Sequence, residues 1–193
     1  MQVLFLHLSD IHLQVNRDYS SEKIRRIVDA VPCELPFDCA FLIISGDLAN
    51  SGSVDEYHVA KRLIDDLICG FRSKGIKPEI LFVPGNHDIS IPKDSPTAEM
   101  LIESKRSSLG DAYAHELEKM DPFFEFANEY RLFRSEYSDS TEQFDIGGQA
   151  CSIKATMLNS APFSTRERTD KEIHYLPERA ICSIEKSGNT NLN

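Results

Sequence analysis

Three short apolar runs, each halted by a turn that bears Asp, His or Asn, constrain this chain more than any other feature. Residues 3–9, 39–45 and 79–83 are almost wholly apolar. Runs of this length without polar alternation suit strands buried on both faces, as in a parallel sheet. Helical patterns separate them. Residues 20–31 carry Ile24, Ile27, Val28 and Val31 at helical spacing, with Ser20 or Ser21 as N-cap. Ser53 and Glu56 form a capping-box pattern, and the helix after it puts Ala60, Leu63, Ile64, Leu67, Ile68 and Phe71 on one stripe. Gly75 and Pro78 break it. The first 90 residues therefore predict an α/β fold: strand, helix, strand, helix, strand, with a parallel sheet and right-handed crossovers. Open sheets of this kind bind ligands at the carboxyl ends of their strands.

The chemistry-bearing residues lie at those ends. Asp10-Ile11-His12 follows the first run. On an extended segment, residues two apart project to one side, so this carboxylate and imidazole can share an ion. Gly46-Asp47 closes the second run. Its glycine permits a tight turn, and its aspartate can bridge two ions. Gly85-Asn86-His87-Asp88 follows the third. Asn86 offers a neutral oxygen, His87 an imidazole, and Asp88 a carboxylate able to orient a neighbour. Asp-x-His arises often by chance and Gly-Asp is also an ordinary turn. The specific signal is the ordered set of three, each after a predicted strand.

This ordered set resembles the calcineurin-like metallophosphoesterase superfamily, and its wording is closest to bacterial phosphodiesterase-like members. The motifs carrying the resemblance span residues 10–88. It implies an α/β/β/α sandwich of four layers with a largely parallel sheet, and a metal-dependent phosphoester hydrolase. It further implies two divalent ions, Mn, Fe or Zn, with a metal-activated water. By the same resemblance Asp10 and His12 bind one ion, Asp47 bridges both, and Asn86 binds the second. His87 then serves the leaving group without being a ligand, and Asp88 supports it.

The rest of the chain departs from that pattern. The family continues with a histidine after a later strand and then Gly-His-x-His. The six histidines here are His7, His12, His58, His87, His115 and His174, and none lies in such a motif. His7 is expected to be a satisfied core residue. His58 and His115 are expected to be solvated, and His174 to open a last helix. Residues 94–138 read as a helical insertion or cap with a break at Asp121-Pro122. Phe123, Phe126, Ala127, Tyr130, Phe133 and Tyr137 form a stripe there, better read as core than as a base-stacking platform. Residues 143–159 read as a hairpin turning at Gly147-Gly148. A helix over 170–186 would turn Ile173, Leu176, Ala180, Ile181 and Ile184 inward. The expectation is one phosphoesterase domain over 1–193, C-terminally incomplete: the N-terminal half of the sandwich. The second metal site is then weak, and uncovered apolar sheet surface favours association.

Composition narrows the partners. The 193 residues are 41% hydrophobic, and the net charge is −10. That balance disfavours a broad nucleic-acid surface but leaves nucleic acid open as a substrate. Five cysteines, odd in number and without Cys-x-x-Cys, argue against a disulfide framework or zinc knuckle. The N-terminus lacks a basic segment, and no apolar run is long enough to span a bilayer. A cytoplasmic protein acting on a phosphoester, without membrane contact, is expected. The alternatives are a truncated, non-catalytic fragment or regulatory subunit with a partial metal site, and an unrelated α/β binding module.

Overall fold

The computed structural model describes residues 2–16, 21–32, 37–90, 113, 116–131, 139–146 and 152–164, with 103, 176 and 178. Strands β1 (Val3–Leu8), β2 (Cys39–Ser45) and β3 (Glu79–Val83) form a parallel sheet in the order β1-β2-β3. Helix α1 (Ser21–Asp29) lies between the first two strands in sequence, and α2 (Val54–Ser73) between the last two. All five elements follow the sequence pattern within about two residues.

Strand alternation divides the core in two. Leu42, Ile44 and Phe82 face the helices, joining the α2 stripe of Ala60, Leu63, Ile64, Leu67 and Phe71. The α1 residues Ile24 and Val28, with Val31 just beyond the helix, complete that layer. The opposite face presents Phe41 and Leu81, which pack with Phe144 and Met157. Those two belong to an antiparallel hairpin of β4 (Asp139–Asp145) and β5 (Ser152–Leu158). The described residues thus stack helices, parallel sheet and hairpin as α/β/β layers.

The hairpin starts four residues earlier than the sequence pattern indicates. Glu142 lies on the same face of β4 as Phe144. Its charge is met by Arg131, whose guanidinium also lies 4.5 Å from the Phe144 ring centroid and bonds Glu79 at 3.2 Å. The turn at Gly147-Gly148 lies outside the described residues, as do the helix expected over 170–186 and His115 and His174.

The aromatic stripe is core, as expected. A 3₁₀ turn, Glu118–Met120, passes into α3 (Asp121–Asn128) at the predicted Asp121-Pro122 break. Phe126 stacks on Tyr57 at 5.4 Å and meets Phe82 edge-on at 5.3 Å. Tyr130 donates to Asp65 of α2 at 2.9 Å. Phe133 and Tyr137 lie outside the described residues.

His7 corrects the sequence reading. It is exposed, bonded to the Ser45 hydroxyl, on the same sheet face as Phe5. The hairpin covers Phe41 but not Phe5, which stays 55% exposed while stacked on Phe41. Alternation fixes which face a side chain takes, but not whether another layer covers that face. His58 is exposed beside Asp55, as expected. Cys39 and Cys69 are free thiols. Among the described residues no helix is long and apolar enough to cross a membrane.

The helix-side core predicts a steep cost for truncation at its centre. Ile64, fully buried in α2, should lose about 2–5 kcal/mol of stability on Ile64→Ala. Urea denaturation of the two proteins checks this, and a loss below about 1 kcal/mol would contradict the packing.

Candidate metal centre

Three loops at the carboxyl edge of the sheet are laid side by side by backbone hydrogen bonds. The chain after β1 runs beside the chain after β2. His12 N–H donates to the Asp47 carbonyl and Leu13 N–H to the Leu48 carbonyl, both at 2.9 Å, while Asn50 N–H donates back to Leu13 at 3.1 Å. The loop after β3 closes on the second. Its Gly85 lies so near Asp47 that an added Cβ would stand 2.3 Å from Asp47 Oδ1 and 2.5 Å from its nitrogen. Only glycine allows that approach.

The backbone takes uncommon conformations where the motifs sit. Asp10, His12 and Asp47 have φ of 55°, 49° and 55°, the positive-φ residues other than glycine among those described. Residues with a Cβ rarely adopt this region, and such outliers gather at functional sites. Asp10 and His12 therefore do not lie on the regular extended segment that their spacing alone predicted. Their carbonyls and side chains are turned by left-handed backbone.

His12, Asp47 and His87 converge. One ligand atom from each lies within 4.8 Å of the others. The two imidazoles meet edge to face, with centroids 4.5 Å apart. His12 Nε2 stands 3.9 Å from Asp47 Oδ2. Asp47 Oδ1 accepts the His87 backbone N–H at 2.9 Å, so one carboxylate oxygen fixes the third loop while the other faces His12. His87 Nδ1 is 2.8 Å from the Asn50 carbonyl. A carbonyl only accepts, so Nδ1 carries the proton and Nε2 has the free lone pair in the neutral ring.

Asp88 works behind the cluster. It is 0% exposed. Its carboxylate accepts from Ala49 and Gly85 N–H at 2.9 Å each, from Leu48 N–H at 3.3 Å and from the Tyr57 hydroxyl at 3.0 Å. Burial pushes its carboxyl above the ordinary range, opposed by the backbone and Tyr57 donors. Burial, with Asp88 beside it, also pushes the Tyr57 phenol far up, so it remains a donor. Glu56 acts similarly one loop away, accepting from Ser51 N–H and hydroxyl at 2.8 Å each and from Ser53 N–H at 3.3 Å.

Of the residues singled out by sequence, the cluster unites His12 and Asp47 and adds His87. Asp10 is not one of these three; it is exposed, its carboxylate taking the Ser9 hydroxyl. Asn86 opens the 3₁₀ turn Asn86–Asp88 and is half-buried. Asn50 and Gln14, whose side chains bond at 3.2 Å beside the site, carried no sequence signal.

The residues present fit a divalent ion. His12 Nδ1 is buried and has no hydrogen-bond partner among the described residues. An orphaned ring nitrogen costs about 1–3 kcal/mol, and here it belongs to a side chain in a two-histidine, one-carboxylate set. Such a set suits Zn, Mn or Fe. A model of the calcineurin-like phosphoesterase family matches residues 3–173 of the chain. No curated protein matches it.

The two buried roles predict opposite outcomes for neighbouring substitutions. Asp88→Ala leaves Leu48, Ala49 and Gly85 N–H groups without their acceptor and should cost about 3 kcal/mol or more. His87→Ala should change stability by less than about 1 kcal/mol in the metal-free protein. Thermal unfolding in chelator reads both, and equal losses would contradict this division.

Proposed function

From the calcineurin-like phosphoesterase family, to which this chain belongs, we propose that it is a hydrolase cleaving a phosphoester with divalent metal held at the carboxyl edge of the parallel sheet. The observation that supports this most is the convergence of His12, Asp47 and His87 from three separate loops. The proposal treats residues 1–193 as part of one phosphoesterase domain.

In this reading His12 and Asp47 hold the principal ion. Asp10 and Asn86, on the flanking loops, are proposed as the further ligands of a dinuclear centre. When bound, the metal supplies Lewis-acid polarisation of the phosphoryl oxygens and lowers the pKa of water to near neutrality. The chain's own residues do the rest. Asn50 holds His87 through Nδ1, so that Nε2 is the atom available to substrate. In the doubly protonated ring, Nε2 can give its proton to the leaving oxygen as the P–O bond breaks, leaving the Nδ1–H tautomer that Asn50 already selects. Asp88 is a positioning residue, joining the loops that carry Asp47 and His87.

The substrate class stays at phosphoester. The described part of the 94–138 segment is core beneath the sheet edge, linked to the third loop by Ser90 N–H to Lys119 carbonyl at 3.2 Å. A small phosphodiester or phosphomonoester fits the acidic chain better than a duplex.

Hydrolysis of bis(p-nitrophenyl) phosphate with added Mn tests the reading. Activity should appear with metal, vanish with chelator, and fall at least about 100-fold in Asp47→Asn. Metal binding without hydrolysis of this diester or of p-nitrophenyl phosphate would instead identify a non-catalytic chain with a partial site. No metal binding would overturn both readings.

A further inference from the structure

We propose that the side-chain amides of Gln14 and Asn50 select the leaving group, which narrows the substrate to a phosphate ester of a hydroxyl-bearing alcohol rather than of a plain alkyl or aryl one. The inference rests on the phosphoester reading above and leaves the roles given there to Asp10, His12, Asp47, Asn86 and His87 unchanged. It adds two side chains that bind the departing group.

Place is the first ground for this assignment. Beyond β1 and β2 the two chains stay side by side, and Leu13 pairs with Ala49 as a parallel bridge. Gln14 and Asn50 are the residues that follow this bridge, and Gln14 Nε2 donates to Asn50 Oδ1 at 3.2 Å. Leu13 and Ala49 are buried in the helix-side core, whereas Gln14 and Asn50 are only half-buried. The loops are already joined by the Leu13 N–H to the Leu48 carbonyl at 2.9 Å and the Asn50 N–H to the Leu13 carbonyl at 3.1 Å. The amide pair is therefore not what holds them together. The Asn50 carbonyl also accepts the His87 Nδ1 proton at 2.8 Å. Asn50 thus stands one imidazole width from Nε2, the atom that serves the leaving oxygen.

Hydrogen-bonding capacity is the second ground. Among the described residues, Gln14 Oε1 and Asn50 Nδ2 have no further partner. One is an acceptor, the other a donor, and neither is charged. An alcohol hydroxyl both donates and accepts, so it matches the two together. Turning both amides over exchanges their roles and leaves the same complement. A plain alkyl or aryl group satisfies neither amide, and covering them then costs hydration without return. A site built to bond a hydroxyl rejects the analogue that lacks it for this reason.

Phosphate release from glycerol 3-phosphate and from n-propyl phosphate, with added Mn, tests the assignment. The two esters share the phosphate and the carbon chain and differ only in hydroxyls. The full chain should favour the glycerol ester by at least about 10-fold in kcat/KM. Gln14→Leu and Asn50→Ala should each bring that ratio to within about threefold of unity, and Asn50→Ala keeps the backbone carbonyl that holds His87. The ratio compares two substrates on one preparation, so partial misfolding, which lowers both rates alike, leaves it unmoved. A ratio near one in the unsubstituted chain, or an unchanged preference in Gln14→Leu, would overturn the proposal. Hydrolysis of bis(p-nitrophenyl) phosphate but of neither alkyl ester would overturn this inference alone. Hydrolysis of none of the three would overturn the phosphoester reading with it.

Discussion

The Asp88 carboxylate is the interaction on which the rest of the site depends. It is fully buried, yet its two oxygens receive three backbone N–H groups and a phenol. Two of those N–H groups come from the loop after β2 and one from the loop after β3. A charge withdrawn from water is tolerated only when surrounded by donors in this way. The arrangement has a geometric result: Gly46-Asp47 and Gly85 are drawn to contact distance, too close for any side chain at 85. Asp47 and His87 therefore occupy neighbouring positions irrespective of any ligand.

The first loop is attached to this pair by backbone alone. His12 and Leu13 donate to Asp47 and Leu48, continuing the parallel ladder of β1 and β2 past the last regular strand residue. That register requires left-handed backbone at Asp10, His12 and Asp47, at a cost that the surrounding hydrogen bonds offset. The sheet thus sets where the three loops begin, and the buried carboxylate and the extended ladder set where their side chains meet.

Much of this was legible in the sequence, because burial on both faces leaves strands apolar and the motifs directly follow them. The strand at 79–83 and the α2 stripe are examples, and so is the aromatic core around Phe126. What was not legible depends on long-range contact. Spacing alone put Asp10 and His12 on one extended side, since nothing local signals positive φ for those residues. His7 read as core because strand alternation does not reveal that the hairpin stops short of β1. The polar start of β4 carries no apolar pattern, and the partner of Glu142, Arg131, is distant from the strand. Asp88 read as a residue orienting its neighbour, but its partners, the N–H groups of Leu48, Ala49 and Gly85 and the Tyr57 hydroxyl, are set by long-range contact. The grouping of His87 with His12 and Asp47 follows from the close approach at Gly85, which no linear motif encodes.

The account is tested most directly by diffraction from crystals of the chain grown with zinc, with data collected above and below the zinc absorption edge. The predicted result is an anomalous peak against the His12 imidazole and the Asp47 carboxylate, where the three loops meet. No peak near the three loops at saturating zinc would contradict it.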